Sequence, residues 1–128
     1  MSTGSRETLI PVVIAGALGK MGAKVVQTIH ESSDCEIVGA IDTTEGKEGA
    51  DVGLEMGLDE LNVPITSDFE GCLCLASQEA DRSNYSKRAV LVDFTHPSVV
   101  YEHTRASIAY GVHPVIGTTG LTYEQILD

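Results

Sequence analysis

The chain has 128 residues, 42% of them hydrophobic and none Trp, with a formal net charge of −11. That length makes one domain with enough apolar residues for a core. The acidic balance argues against nucleic acid and anionic membrane surfaces as partners, since phosphates call for basic patches. No apolar run approaches the roughly 20 residues that span a bilayer.

Residues 1–8 are polar, contain nothing a signal peptidase would read, and are expected to be a flexible lead-in to one domain over residues 9–128. Residues 10–15 read as a buried strand. Residues 20–31 read as a helix with Met21, Val25, Val26 and Ile29 on one face. Cys35 to Ile41 is a second apolar strand, closed by Asp42. Residues 43–62, rich in Gly and acids, read as a long loop, and Val63-Pro64-Ile65 as at best a short edge strand. Asp68 is placed to cap a helix running through Leu75, and residues 79–88 read as a polar surface loop. Residues 89–93 form the clearest strand after the first. Pro97 suits the first turn of a helix whose face holds Val99, His103, Ala106 and Tyr110, stopped by Gly111. A strand over 112–116, the turn Gly117-Thr118-Thr119-Gly120 and a helix from Thr122 complete the chain.

Strands alternating with helices predict an α/β fold, a Rossmann-type doubly wound parallel sheet, here expected to lack its last strand or strands. Ligands of such sheets sit beyond the carboxyl ends of the strands. The glycine loop Gly16-Ala17-Leu18-Gly19-Lys20-Met21-Gly22, the stretch Asp93-Phe94-Thr95-His96 and the turn at Gly117 should therefore line one crevice.

The glycine loop follows a strand and opens a helix, the context in which backbone N–H groups and the positive helix end cradle a pyrophosphate. Asp42 stands 20 residues beyond Gly22, at a second strand end, where a carboxylate can accept the hydroxyls of an adenine ribose. Asp42 favours NAD by repelling a 2′-phosphate, whereas Lys20 or Lys47 could neutralise that phosphate and admit NADP. The Gly117 turn is either a holder for an amide or carboxylate or a plain strand-to-helix turn. His96 more readily flanks the helix begun by Pro97 than acts as an acid or base; His103 reads as a helix-face residue, and His30 and His113 as structural or exposed. No His, Cys or acid cluster has metal spacing, and no Ser or Cys lies in a nucleophile motif. Cys35, Cys72 and Cys74 are an odd set without redox spacing, read as reduced structural thiols.

Three stretches together resemble the N-terminal nucleotide-binding domain of dihydrodipicolinate reductase (4-hydroxy-tetrahydrodipicolinate reductase), in its cyanobacterial or plastid-lineage branch. They are residues 12–22, Val92-Asp93-Phe94-Thr95-His96-Pro97 and Val115-Ile116-Gly117-Thr118-Thr119-Gly120, supported by Gly39-Ala40-Ile41-Asp42 and Gly49-Ala50-Asp51-Val52-Gly53. The resemblance implies an NADH- or NADPH-dependent oxidoreductase of the diaminopimelate route to lysine, reducing a cyclic dicarboxylate. Gly16, Ala17, Leu18, Gly19, Lys20 and Met21 would hold the pyrophosphate and Asp42 the ribose. Phe94 and Thr95 would border the nicotinamide. Gly117, Thr118 and Thr119 would hold its carboxamide end, with Thr119 nearest the substrate. Thr43 stands where many members carry Arg against the 2′-phosphate, and Leu18 where a small residue is common.

The family's second domain carries a His-His pair, a catalytic Lys and an Asp-Ala-Pro-Ser-Gly-Thr run, and these residues are not in this chain. The expectation is a fragment with no catalytic residue of its own, inactive alone. It would meet the substrate through the missing domain, and be a monomer or weak dimer where the whole enzyme is a homotetramer. The implied compartment is the cytoplasm, or the plastid stroma of a plant or alga. The alternative is a non-catalytic Rossmann-fold scaffold related to that reductase.

Overall fold

The computed structural model of the chain describes residues 9–82, 88–95 and 97–116. Its elements in chain order are β1 (Ile10–Ala15), α1 (Lys20–Glu31), β2 (Cys35–Ile41), α2 (Val52–Glu55), β3 (Ile65–Thr66), α3 (Phe69–Arg82), β4 (Val90–Asp93), α4 (Pro97–Ala109) and β5 (His113–Ile116). The strands form one sheet in the order β3-β2-β1-β4-β5, with every pair parallel. This is the doubly wound Rossmann-type architecture expected from the alternation.

Side chains alternate across β1 and divide the core into two layers. Val12 and Ile14 pack with Ile37, Val52 and Ile65 under Val26 of α1. Val13 and Ala15 pack with Ile41, Leu91 and Val112 under Cys72, Leu73 and Ala76 of α3, joined by Ala106 of α4 and by Tyr110 just after it. Helices thus cover both faces, which is why β1 and the end of β2 read as continuous apolar runs. From β1 the chain winds outward to β2 and β3, then crosses back to β4 and β5 on the other side. The direction of winding reverses between β1 and β4, so their carboxyl ends open a crevice there.

Several boundaries differ from expectation. The long loop 43–62 contains α2, whose four residues are too few to show a helical period. Polar anchoring builds it instead: Asp51 accepts hydrogen bonds from the N–H groups of Leu54 (3.1 Å), Leu61 (2.9 Å) and Val63 (2.9 Å). The edge strand falls on Ile65–Thr66 rather than 63–65, beside β2 as an outer strand. Asp68 does cap α3, accepting from Gly71 N–H (3.1 Å), but that helix runs to Arg82, past Leu75 and into the expected loop. Met21 and Val99, expected on packed faces, are exposed. All three cysteines are free thiols, and burial pushes Cys72 up to about 11.

Burial raises the pKa of Asp51, but the hydrogen bonds from Leu61, Val63, Leu54 and Gly53 outweigh it and hold the carboxyl below its ordinary value. A carboxyl depressed on folding stabilises above its unfolded pKa, and that contribution is lost as pH falls through the folded one. Asp51→Asn is therefore expected to lower stability at pH 7 and to flatten the loss on acidification below about pH 4. Urea denaturation of both proteins at neutral and acid pH reads this; parallel acid profiles would overturn it.

Candidate functional site

The glycine loop turns directly out of β1. Gly16 has φ +80°, and its N–H and that of Ala17 donate to Ile41 O at 2.8 and 3.2 Å, tying the loop to the end of β2. A Cβ on Gly16 would stand 3.2 Å from the carbonyl of Phe94, so the backbone after β4 lies against the loop. Gly22, in the first turn of α1, brings that helix onto the loop: a Cβ there would fall 2.0 Å from Gly16 O. Gly19 is different. It caps α1 at φ −74° without a side-chain bond, and a Cβ on it would meet only Gly16 O, at 3.4 Å. The fold's own packing requires Gly16 and Gly22 to lack side chains, but not Gly19.

The first intrahelical bond of α1 runs from Ala23 N–H to Gly19 O (2.9 Å). The N–H groups of Lys20, Met21 and Gly22 precede it and have no partner within the helix. Lys20 and Met21 are exposed, Ala17 is buried, and Leu18 is half-buried against the α1 side of the core.

Asp42 stands at the end of β2 and reaches the loop. Its Oδ2 accepts from Leu18 N–H (2.9 Å), and its Oδ1 from the N–H (2.9 Å) and hydroxyl of Thr44. Burial raises its pKa, yet the bonds from Thr44, Leu18 and Thr43 outweigh it and keep the carboxyl depressed and ionised. A carboxylate offers about four acceptor positions, so capacity remains for a ligand hydroxyl. Lys47, one of the two lysines considered for a 2′-phosphate, is engaged instead with Glu55 Oε1 at 2.7 Å.

At the end of β4 lies a group the sequence reading did not assemble. Asp93 is 1% exposed. Its Oδ1 accepts from Thr95 N–H (3.0 Å) and from the Thr95 hydroxyl, and its Oδ2 lies 3.0 Å from Nδ1 of His103. The His103 ring stacks on Phe69, with centroids 3.8 Å apart and planes at 14°. Burial raises the Asp93 pKa, but the hydrogen bonds from His103 and Thr95 prevail and lower it. The available signal was a histidine on the otherwise apolar face of α4, ten residues after a strand-end carboxylate.

Gly16, Asp42, Ser67, Phe69, Thr95 and His103 line one open cleft of about 230 Å³ at the switch point. Two of the three stretches expected at one crevice thus meet there. Phe94 supports this wall from behind: its N–H donates to Ala15 O (2.9 Å), and its side chain packs on the α1-side core. His96 and the turn residues Gly117, Thr118 and Thr119 lie outside the described residues. Lys20 and Met21 stand at the start of α1. His30 and His113 are exposed.

Residues 10–128 match the family model described as dihydrodipicolinate reductase, N-terminus. The chain is 69% identical over 119 residues to a 4-hydroxy-tetrahydrodipicolinate reductase of Synechococcus sp. (strain CC9605), covering 93% of this chain and 42% of that protein. It is 63% identical over 120 residues to the reductase of the same name from Prochlorococcus marinus (strain MIT 9313), again covering 42% of the relative. Among solved structures it resembles the dipicolinate-bound dihydrodipicolinate reductase of Paenisporosarcina sp. TG-14, with a TM-score of 0.66 and 31% identity over 93% of this chain and 41% of that one. The WlbA dehydrogenase of Thermus thermophilus, solved with NAD and UDP-GlcNAcA, shares the fold at a TM-score of 0.66 and 16% identity, over 93% of this chain and 36% of that one. The chain spans about two fifths of the length of these reductases. With its glycine loop, its strand-end Asp42 and a family match from residue 10 to residue 128, the chain belongs to the dihydrodipicolinate reductase family, in the part described as its N-terminus.

Proposed function

We propose that residues 9–128 form the pyridine-nucleotide-binding domain of a 4-hydroxy-tetrahydrodipicolinate reductase, and that the domain holds NADH in preference to NADPH. Gly19 carries this reading: it lacks a side chain the fold could accommodate, at the N-cap position beside the first N–H groups of α1. The loop residues Gly16, Ala17, Leu18, Gly19, Lys20 and Met21 hold the pyrophosphate through backbone N–H groups, and the remaining acceptor capacity of Asp42 takes a ribose hydroxyl. Thr95 borders the nicotinamide with Phe94 backing it from the α1-side core, and Gly117, Thr118 and Thr119 hold the carboxamide end, with Thr119 nearest the substrate. When bound, the nucleotide supplies a hydride. Thr43 after Asp42, and Lys47 already paired with Glu55, support NADH, with the exposed Lys20 left as the other lysine a 2′-phosphate would meet beside the Asp42 carboxylate.

For the whole protein we place the acceptor among cyclic dicarboxylates, as the dipicolinate-bound relative suggests. Its binding and protonation are assigned to residues beyond these 128, where tetramer contacts are also placed. The reading places the protein in the cytoplasm or a plastid stroma and gives it no role with nucleic acid or membrane.

Calorimetric titration of the chain with NADH tests the reading, and absence of heat at millimolar concentration would sink it. Gly19→Ala is the sharper test. Alanine is a poorer helix N-cap than Gly, so stability should fall by about 1 kcal/mol or less. NADH affinity should fall at least tenfold, about the worth of one lost hydrogen bond to a charged group. A variant that binds as the wild type does would remove the anion from this loop.

A further inference from the structure

Asp93 is the most buried ionisable side chain among the described residues, and nothing assigned so far to the cofactor uses it directly. Its surroundings constrain where protons sit. Thr95 has one hydroxyl hydrogen, and the contact with Asp93 Oδ1 takes it. The ring nitrogen Nδ1 of His103 lies 3.0 Å from Asp93 Oδ2 and 3.3 Å from Thr95 Oγ. A bare Nδ1 lone pair facing a carboxylate oxygen at that distance would be repelled. Both contacts are favourable only when Nδ1 carries its hydrogen and donates to Oδ2, with Thr95 Oγ as a second acceptor. In the neutral ring Nε2 is then an acceptor, on a ring stacked on Phe69 in the wall of the nucleotide cleft.

We propose that Asp93 is a positioning residue of the nucleotide cleft: it fixes His103 as the Nδ1–H tautomer with Nε2 left as the ring's acceptor, and it holds Thr95 at the cleft wall. The inference rests on the cofactor reading for its ligand, but not for its proton placement. Asp93 reaches the cleft only through these two residues. Its Oδ1 captures the Thr95 backbone and hydroxyl together, which closes the turn after β4. That turn sets the Phe94 carbonyl against Gly16, so the same carboxylate braces the glycine loop from the β4 side. The arrangement matches the general use of a carboxylate behind an imidazole, which sets the tautomer and orientation of a ring that works with its other nitrogen. The sequence alone assigned His103 only to a helix face, and the pairing across β4 and α4 raises it to a cleft group.

Asp93→Asn keeps the shape but can reverse the polarity. An asparagine that turns its amide NH2 to Nδ1 makes that nitrogen an acceptor and moves the ring hydrogen to Nε2. The direct test is ¹⁵N–¹H correlation NMR of the full 128-residue chain at about pH 8, above the ordinary imidazole range. His103 is assigned by comparison with His103→Gln. The wild type should show the Nδ1–H tautomer, although free imidazole side chains favour Nε2–H. In Asp93→Asn the ring should lose that preference, and NADH affinity by fluorescence titration should fall about tenfold. An Nε2–H tautomer in the wild type overturns the proposal, whether or not the variant folds. So does an Asp93→Asn protein that is folded and binds NADH within twofold of wild type. Failure of the wild type to bind any pyridine nucleotide overturns the cofactor reading instead, and the tautomer measurement still decides the placement of the proton.

Discussion

Gly22→Ala is expected to lower stability by about 2 kcal/mol and to abolish NADH binding at millimolar concentration. Alanine in a helix interior gains close to 1 kcal/mol over glycine, but overpacking against rigid neighbours costs about 1–3 kcal/mol and sometimes more. The neighbours here are all backbone: Gly16 O at 2.0 Å, Gly16 C at 2.8 Å and Ala17 Cα at 3.0 Å from the added carbon. No side chain can rotate away, so α1 must lift from the end of β1. Gly16 O also accepts from Gly19 N–H at 3.1 Å, and the lift would pull that bond and the shape of the loop apart. Urea denaturation and NADH titration read the two effects. An unchanged midpoint together with unchanged binding would mean that the helix does not sit this close to the loop.

Asp42→Ala is expected to reduce NADH affinity by about 10–100-fold, the range for losing hydrogen bonds to a charged acceptor. NADPH should lose less, because removing the carboxylate also removes its repulsion of a 2′-phosphate. Asp42 has a second task that tempers this. It accepts from Leu18 N–H inside the glycine loop, so alanine leaves that donor to water and loosens the pyrophosphate cradle for both nucleotides. Paired titrations separate the two. A larger loss for NADH identifies the ribose contact, whereas equal losses would reduce Asp42 to a support of the loop.

The fold was largely readable from local pattern. β1, α1 and β2 fall on the bounds their residues suggested, because a buried parallel strand is continuously apolar and α1 has a clear periodic face. Pattern failed where an element depends on one polar anchor. α2 exists because the Asp51 carboxylate collects three backbone N–H groups, two of them ten or more residues away. The early end placed on α3 has a different cause. Its later residues include Gln78 and Glu79, which look like loop, but Ala76 and Ala80 are buried and carry the helix along the sheet.

The candidate site divides in the same way. Gly16, Gly19 and Gly22 stood out in the chain because a strand-to-helix glycine turn is a local structure whose constraints fall within a few residues, and Asp42 because it closes an apolar strand. The likeness to the reductase family rested on such stretches and agrees with the match over residues 10–128. Folding decided which glycine serves packing and which leaves room for a ligand. It paired Lys47 with Glu55, and it brought Asp93, Thr95 and His103 into one hydrogen-bonded group. Those outcomes depend on how α4 crosses β4 and how the loop after β2 folds back. Contacts between separate elements are set by register and crossing, which no short stretch of chain encodes.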